Sequence, residues 1–151
     1  MNIQEQYMRE ALLEAQRACE EGEIPVGAVV VQDNNIIARA HNTRERNHDP
    51  LGHAELSALS MAAEVLGSWR LDDCDLYVTL EPCPMCAGAI LNARLRRVYF
   101  GAYDEVMGAV GSKFNLFYDY RWPTPIHFAG GILEEDCRTV LQSFFRSRRE
   151  K

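Results

Sequence analysis

The chain has 151 residues, 47% hydrophobic and 25% charged, with a formal net charge of −6. A chain of that size can bury about two-thirds of its unfolded surface, and its composition excludes a fibrous or disordered protein, while the acidic balance argues against a nonspecific nucleic-acid binder. No apolar run approaches the roughly 20 residues that cross a bilayer, and the opening MNIQEQYMRE lacks the basic-then-apolar pattern of a signal peptide, so one domain over residues 1–151 in the cytoplasm is expected.

Residues 3–20 place Ile3, Tyr7, Ala11, Leu12, Ala15, Ala18 and Cys19 near one face at the 3.6-residue period, with Gly22 as a C-cap. This predicts an amphipathic helix packed on a sheet. VGAVVV (26–31) and IIARAH (36–41) are β-branched runs around QDNN, which reads as a hairpin. The polar NTRERNHDPLG is a loop, and a second helix begins near His53. DLYVTL (75–80) is an apolar strand, PMCAGAILNA a third helix and RVYFG (97–101) another strand. Residues 102–125, rich in Gly, Tyr and Phe, read as a long loop with room for a helical turn. IHFAGG is a last short strand, and LEEDCRTVLQSFFRSRR a terminal helix with acids in its first turn and arginines in its last, as the helix dipole prefers. Strands alternating with helices imply a layered α/β domain, with helices on both faces of a mixed sheet.

Five cysteines, at positions 19, 74, 83, 86 and 137, make a disulfide framework improbable in such a chain. Cys19 and Cys137 fall in helical apolar patterns and read as small buried hydrophobes, and Cys74 as structural. Cys83 and Cys86, in EPCPMC, open a helix directly after a strand. That arrangement suits a redox dithiol or half of a metal site equally well. His53, in HAE, also opens a helix, which a dithiol does not need and a zinc site does. Three ligands with an open fourth position make a catalytic site, and no nearby residue is an obvious fourth, because Cys74 lies at the far end of its strand and His48 in a loop. Glu55, two residues past the histidine, is placed to move protons to and from a metal-activated water.

His-x-Glu followed by Pro-Cys-x-x-Cys is the general pattern of zinc-dependent nucleobase deaminases. The chain resembles the tRNA adenosine deaminases of bacteria, the TadA type, over nearly its whole length. The resemblance rests on GEIPVGAVVV (22–31), ARAHN (38–42), HAE (53–55), GSWRL (67–71), LYVTLEPCPMCAGAI (76–90), VYFGAYD (98–104), GAVGS (108–112) and FFRSRR (144–149). It implies a three-layer α/β/α cytidine deaminase-like fold with a central mixed sheet of about five strands. It implies one zinc per chain on His53, Cys83 and Cys86, with Glu55 as proton shuttle. It further implies that Asn42 holds the target nucleoside, that the backbone around Ala54 contacts the base edge, that Val26 and Pro82 wall the pocket, and that Asp104 touches the substrate strand. The implied reaction is hydrolytic deamination of adenosine to inosine at the wobble position of a tRNA anticodon, in a homodimer that holds tRNA partly through the C-terminal helix. RSRREK would then contact phosphates.

Two segments depart from the family. Leu51 and Gly52 stand where it has Thr-Ala, and the RWPTPIHF neighbourhood replaces its Asn-His pair. Tyr118, Tyr120 and Trp122 there are candidates to stack an extruded base or to pack in a core or dimer contact. The altered rim keeps open a deaminase of a free purine or other small amino-heterocycle. A purely structural zinc protein is the alternative of another class, and it requires Glu55→Ala to be silent.

Overall fold

The computed structural model describes residues 1–119 and 125–149. Tyr120 and Trp122, and Glu150 and Lys151 of the basic tail, lie outside the described residues. The elements in chain order are α1 (Ile3–Glu20), β1 (Gly27–Gln32), β2 (Asn35–His41), α2 (Ala54–Leu66), β3 (Cys74–Leu80), α3 (Pro84–Ala93), β4 (Arg97–Ala102), α4 (Leu116–Asp119), β5 (His127–Ala129) and α5 (Glu134–Arg149).

Local chemistry accounts for most boundaries. The Asn2 side chain accepts from Glu5 N while the Glu5 carboxylate accepts from Asn2 N, a capping box that starts α1. The turn between β1 and β2 is Asp33-Asn34, both at positive φ (50° and 65°), the backbone that a tight two-residue hairpin needs and that these residue types tolerate. α2 ends where Gly67 takes the left-handed conformation.

The five strands lie in the order β2-β1-β3-β4-β5. β1 runs antiparallel to both β2 and β3, while β3, β4 and β5 are mutually parallel. β2, β3 and β4 therefore point the same way, and the loops that follow them emerge at one edge of the sheet, with the start of β1. In open α/β sheets that edge is where ligands bind.

The central strands β1 and β3 are buried on both faces, which is why they read as unbroken apolar runs rather than alternating ones. Ala28, Val30, Leu76 and Val78 face a core completed by Ala58 and Leu59 of α2 and Ala87 and Ile90 of α3. Val29, Val31 and Tyr77 face Met8, Ala11 and Leu12 of α1 and Cys137 of α5. The expected layers are thus present, and Cys74 and Cys137 are buried as the sequence suggested. Cys19 is not: it is exposed, as is Ile3. The face of α1 that meets the sheet is centred on Met8, Ala11, Ala15 and Ala18, which turns the neighbouring position 19 towards solvent. The 102–125 stretch holds the short α4, and Val110 bridges to Asn115.

Candidate metal centre and substrate cleft

His53 and Cys83 are the N-cap residues of α2 and α3, both in extended backbone conformation, and neither side chain makes a capping hydrogen bond. At most helix starts a Ser, Thr, Asp or Asn side chain would turn back on the helix. Here the side chains project outwards, and Pro84 at the first turn of α3 removes one N–H that would otherwise need a partner. The cap of α2 comes instead from Asn42, just past β2, whose Oδ1 accepts from Ala54 N at 2.9 Å.

The two helix starts converge. His53 Nδ1 lies 3.6 Å from Cys83 Sγ and 3.4 Å from Cys86 Sγ, and the three ligand atoms all fall within 4.8 Å of one another. Zinc bound tetrahedrally at its usual Zn–S and Zn–N lengths separates S from N by about 3.6 Å. The donor set and its spacing therefore fit a zinc ion, with three protein ligands. The positive ends of two helices favour the thiolates. Without the ion, the hydrogen bond from Cys86 is the main reason the Cys83 thiol is held down, to about 4, against the opposing effect of burial. Cys86 is pushed up, first by that hydrogen bond and then by burial. His53 is raised chiefly by its contact with Cys83.

Glu55, in the first turn of α2, is only 4% exposed. Burial pushes its carboxyl from 4.5 up to about 7, with its own backbone N–H and the His53 charge pulling the other way. A carboxyl poised near neutrality can both take and give a proton at working pH.

These groups open onto a cleft of about 950 Å3, at the upper end of the roughly 300–1,000 Å3 of small-molecule sites, with room beyond a single nucleobase. Of the residues singled out from sequence, Val26, Asn42, His53, Glu55, Cys83 and Asp104 line it. Ala54, Pro82 and Cys86 are buried behind its surface. The Ala54 N–H is taken by Asn42 and the Pro82 carbonyl accepts from Ala109 N at 2.8 Å. Asp104 Oδ1 accepts from Val106 N and Met107 N, so that oxygen shapes its own loop. Tyr118 is 81% exposed. From α5, Phe144, Phe145 and Arg148 reach the rim. The Arg148 guanidinium lies 4.9 Å from the Phe144 ring centre and donates to Gly22 O at 2.6 Å.

Sequence reasoning passed over two carboxylates in the cleft lining, Glu23 and Glu81, only 1% and 2% exposed. Glu81 stands inside EPCPMC itself. Nothing local marks either residue, since their partners lie 22 to 31 positions away along the chain.

Residues 1–102 match the family described as the cytidine and deoxycytidylate deaminase zinc-binding region. The chain is 47% identical over 151 residues to a tRNA-specific adenosine deaminase of Bacillus subtilis (strain 168), an alignment spanning 100% of this chain and 94% of that one. It is 47% identical over 148 residues to a tRNA-specific adenosine deaminase of Haemophilus influenzae, spanning 97% and 86%. Among solved structures it is similar to one from studies of A-to-I editing by tRNA deaminases at the wobble position of transfer RNA, with TM-score 0.86 and 43% identity over 90% of this chain and 99% of the other. It is also similar, with TM-score 0.66 and 35% identity over 100% and 96%, to a guanine deaminase from Bacillus subtilis.

Proposed function

The chain belongs to the cytidine and deoxycytidylate deaminase family and, within it, to the tRNA-specific adenosine deaminases, and from that membership we infer that it converts adenosine to inosine at the wobble position of a tRNA anticodon. The observation that carries the chemistry is the clustering of His53 Nδ1, Cys83 Sγ and Cys86 Sγ, with His53, Cys83 and buried Glu55 lining one cleft. His53, Cys83 and Cys86 would hold a zinc ion, which when bound would supply a water activated for attack at neutral pH. Glu55 takes a proton from the attacking water and delivers it to the ring nitrogen next to C6. A second proton passes through Glu55 to the amine as the C6–N bond breaks. Water is consumed, ammonia leaves, and the carbonyl of inosine remains.

The remaining residues orient the nucleotide. With Oδ1 committed to Ala54 N, Asn42 offers the nucleoside its amide N–H2 as a donor. Val26 gives the base an apolar wall, and the backbone next to Ala54 remains the candidate for the base edge. Asp104, which lines the cleft, is the acid that would touch the substrate strand. Arg44 and Arg148 on the rim, with Arg146 and Arg149 in the same terminal turn, suit the phosphates of an extruded anticodon nucleotide. Their clustering reconciles RNA binding with the net charge of −6. A homodimer fits the exposed Leu51 and Trp69 at the groove between α2 and α3, since apolar groups of that size gain from a covered face. No helix among the described residues is long and apolar enough to cross a membrane, and a tRNA substrate suits a cytoplasmic enzyme.

The test is inosine formation in tRNA carrying adenosine at the first anticodon position, run beside free adenine, guanine and cytosine. Conversion of the tRNA supports the reading. Conversion of a free base with untouched tRNA replaces it with a free-base deaminase.

A further inference from the structure

We infer that Glu23 and Glu81 are positioning residues, two buried carboxylates that hold the loops flanking the cleft and so set where its walls meet the substrate. The loop after β2 carries Arg44 and Glu45, and the loop after β4 carries Asp104 and Met107; all four line the cleft. In the strand order β2-β1-β3-β4 these loops lie on either side of the β1–β3 pair, and each is fastened to a carboxylate next to that pair.

Glu23, ahead of β1, accepts from Glu45 N at 3.0 Å and from Arg46 N at 2.6 Å, one on each oxygen. Glu81, just past β3, accepts on Oε1 from Asp104 N at 3.1 Å and from the Ser112 hydroxyl. Its Oε2 accepts from Val110 N and Ser112 N, each at 3.0 Å. The adjoining backbone completes the fastening, with Ala109 N donating to Pro82 O at 2.8 Å and Glu81 N to Ala102 O at 2.9 Å. The loop passes so close over Glu81 that a Cβ on Gly108 would lie 2.4 Å from the Glu81 carboxyl carbon.

Four donors on two oxygens are the partner set of a carboxylate, not of an amide. In Glu81→Gln at least one backbone N–H faces an N–H2 whichever way the amide turns, Asp104 N on one side or Val110 N and Ser112 N on the other, because only the Ser112 hydroxyl can turn to accept; in Glu23→Gln one does. The isosteric change therefore loosens a loop while leaving His53, Cys83, Cys86 and Glu55 chemically intact. Loss of such contacts weakens ground-state and transition-state binding together, which raises KM and spares kcat.

This inference rests on the proposed RNA substrate, so its test has a readout that does not. Zinc-loaded wild type, Glu81→Gln, Glu23→Gln, Ser112→Ala and the surface control Glu20→Gln are compared by amide hydrogen exchange and by kinetics on an anticodon stem-loop. Faster exchange is expected at Asp104, Val110 and Ser112 in Glu81→Gln, and at Glu45 and Arg46 in Glu23→Gln. KM should rise about tenfold in each, with kcat and zinc content held. Ser112→Ala, which removes one donor and should fold normally, gives a smaller rise, and Glu20→Gln none. Unchanged exchange at those amides overturns the inference, as does a joint fall of kcat and zinc content with KM constant. Absence of any RNA activity in wild type overturns the functional reading instead, and the exchange pattern still decides the role of the carboxylates.

Discussion

Replacing Glu55 with Gln keeps the shape of the side chain and removes its charge. Burial raises the Glu55 carboxyl from 4.5 to about 7 in the metal-free fold, and each pH unit of such a shift corresponds to about 1.4 kcal/mol. Ionised Glu55 therefore costs the metal-free fold about 3 kcal/mol. Because the folded value lies above the unfolded one, the native state holds the proton more tightly. The associated stability is complete below pH 4.5 and is lost as pH rises through about 7. Gln has no such loss. After chelation, thermal unfolding at pH 5 should find the two proteins close, whereas at pH 8 Glu55→Gln should be the more stable by up to about 3 kcal/mol, or about 6–12 °C in Tm for a chain of this size. A Tm difference that is flat with pH, or that favours wild type at pH 8, would refute the desolvation argument. With zinc restored, the variant should bind one equivalent and lose at least about 100-fold in kcat.

Cys86→Ser takes away a thiolate from a three-ligand site, and elemental analysis should find zinc well below one equivalent with activity lost in proportion; full zinc occupancy would dismiss Cys86 as a ligand. Arg148→Ala removes a cation from the cleft rim together with its contacts to Phe144 and Gly22 O. Affinity for the tRNA should fall and its dependence on log salt should flatten by about one unit, whereas an unchanged slope would assign Arg148 to holding α5 alone.

Local signals carried much of this architecture. The periodicity of α1, the two β-branched runs around Asp33-Asn34 and the apolar run into Pro82-Cys83 each encode an element within a few residues, and the helix starts at His53 and Cys83 encode the metal centre because a ligand at an N-cap is unusual. What stayed hidden depends on distance along the chain. Cys19 lies one position off the buried stripe of α1, a rotation that periodicity alone does not resolve. The segment after β4 reads as a plain loop because its order comes from Glu81, whose donors are 23 to 31 residues away. Glu23 is equally silent, since a Glu after a helix ordinarily faces water, and only the return of residues 45 and 46 buries it.

The central claim, hydrolytic deamination of a wobble adenosine at the Glu55 centre, is tested most directly in heavy-oxygen water. Zinc-loaded protein is incubated there with tRNA bearing adenosine at the first anticodon position, and the nucleosides are read by mass spectrometry. The account predicts inosine at that position, labelled at its C6 oxygen, with one ammonia released per inosine and none of either from Glu55→Ala. Unaltered adenosine in the tRNA alongside ammonia released from free guanine or adenine, or equal activity in Glu55→Ala, would contradict it.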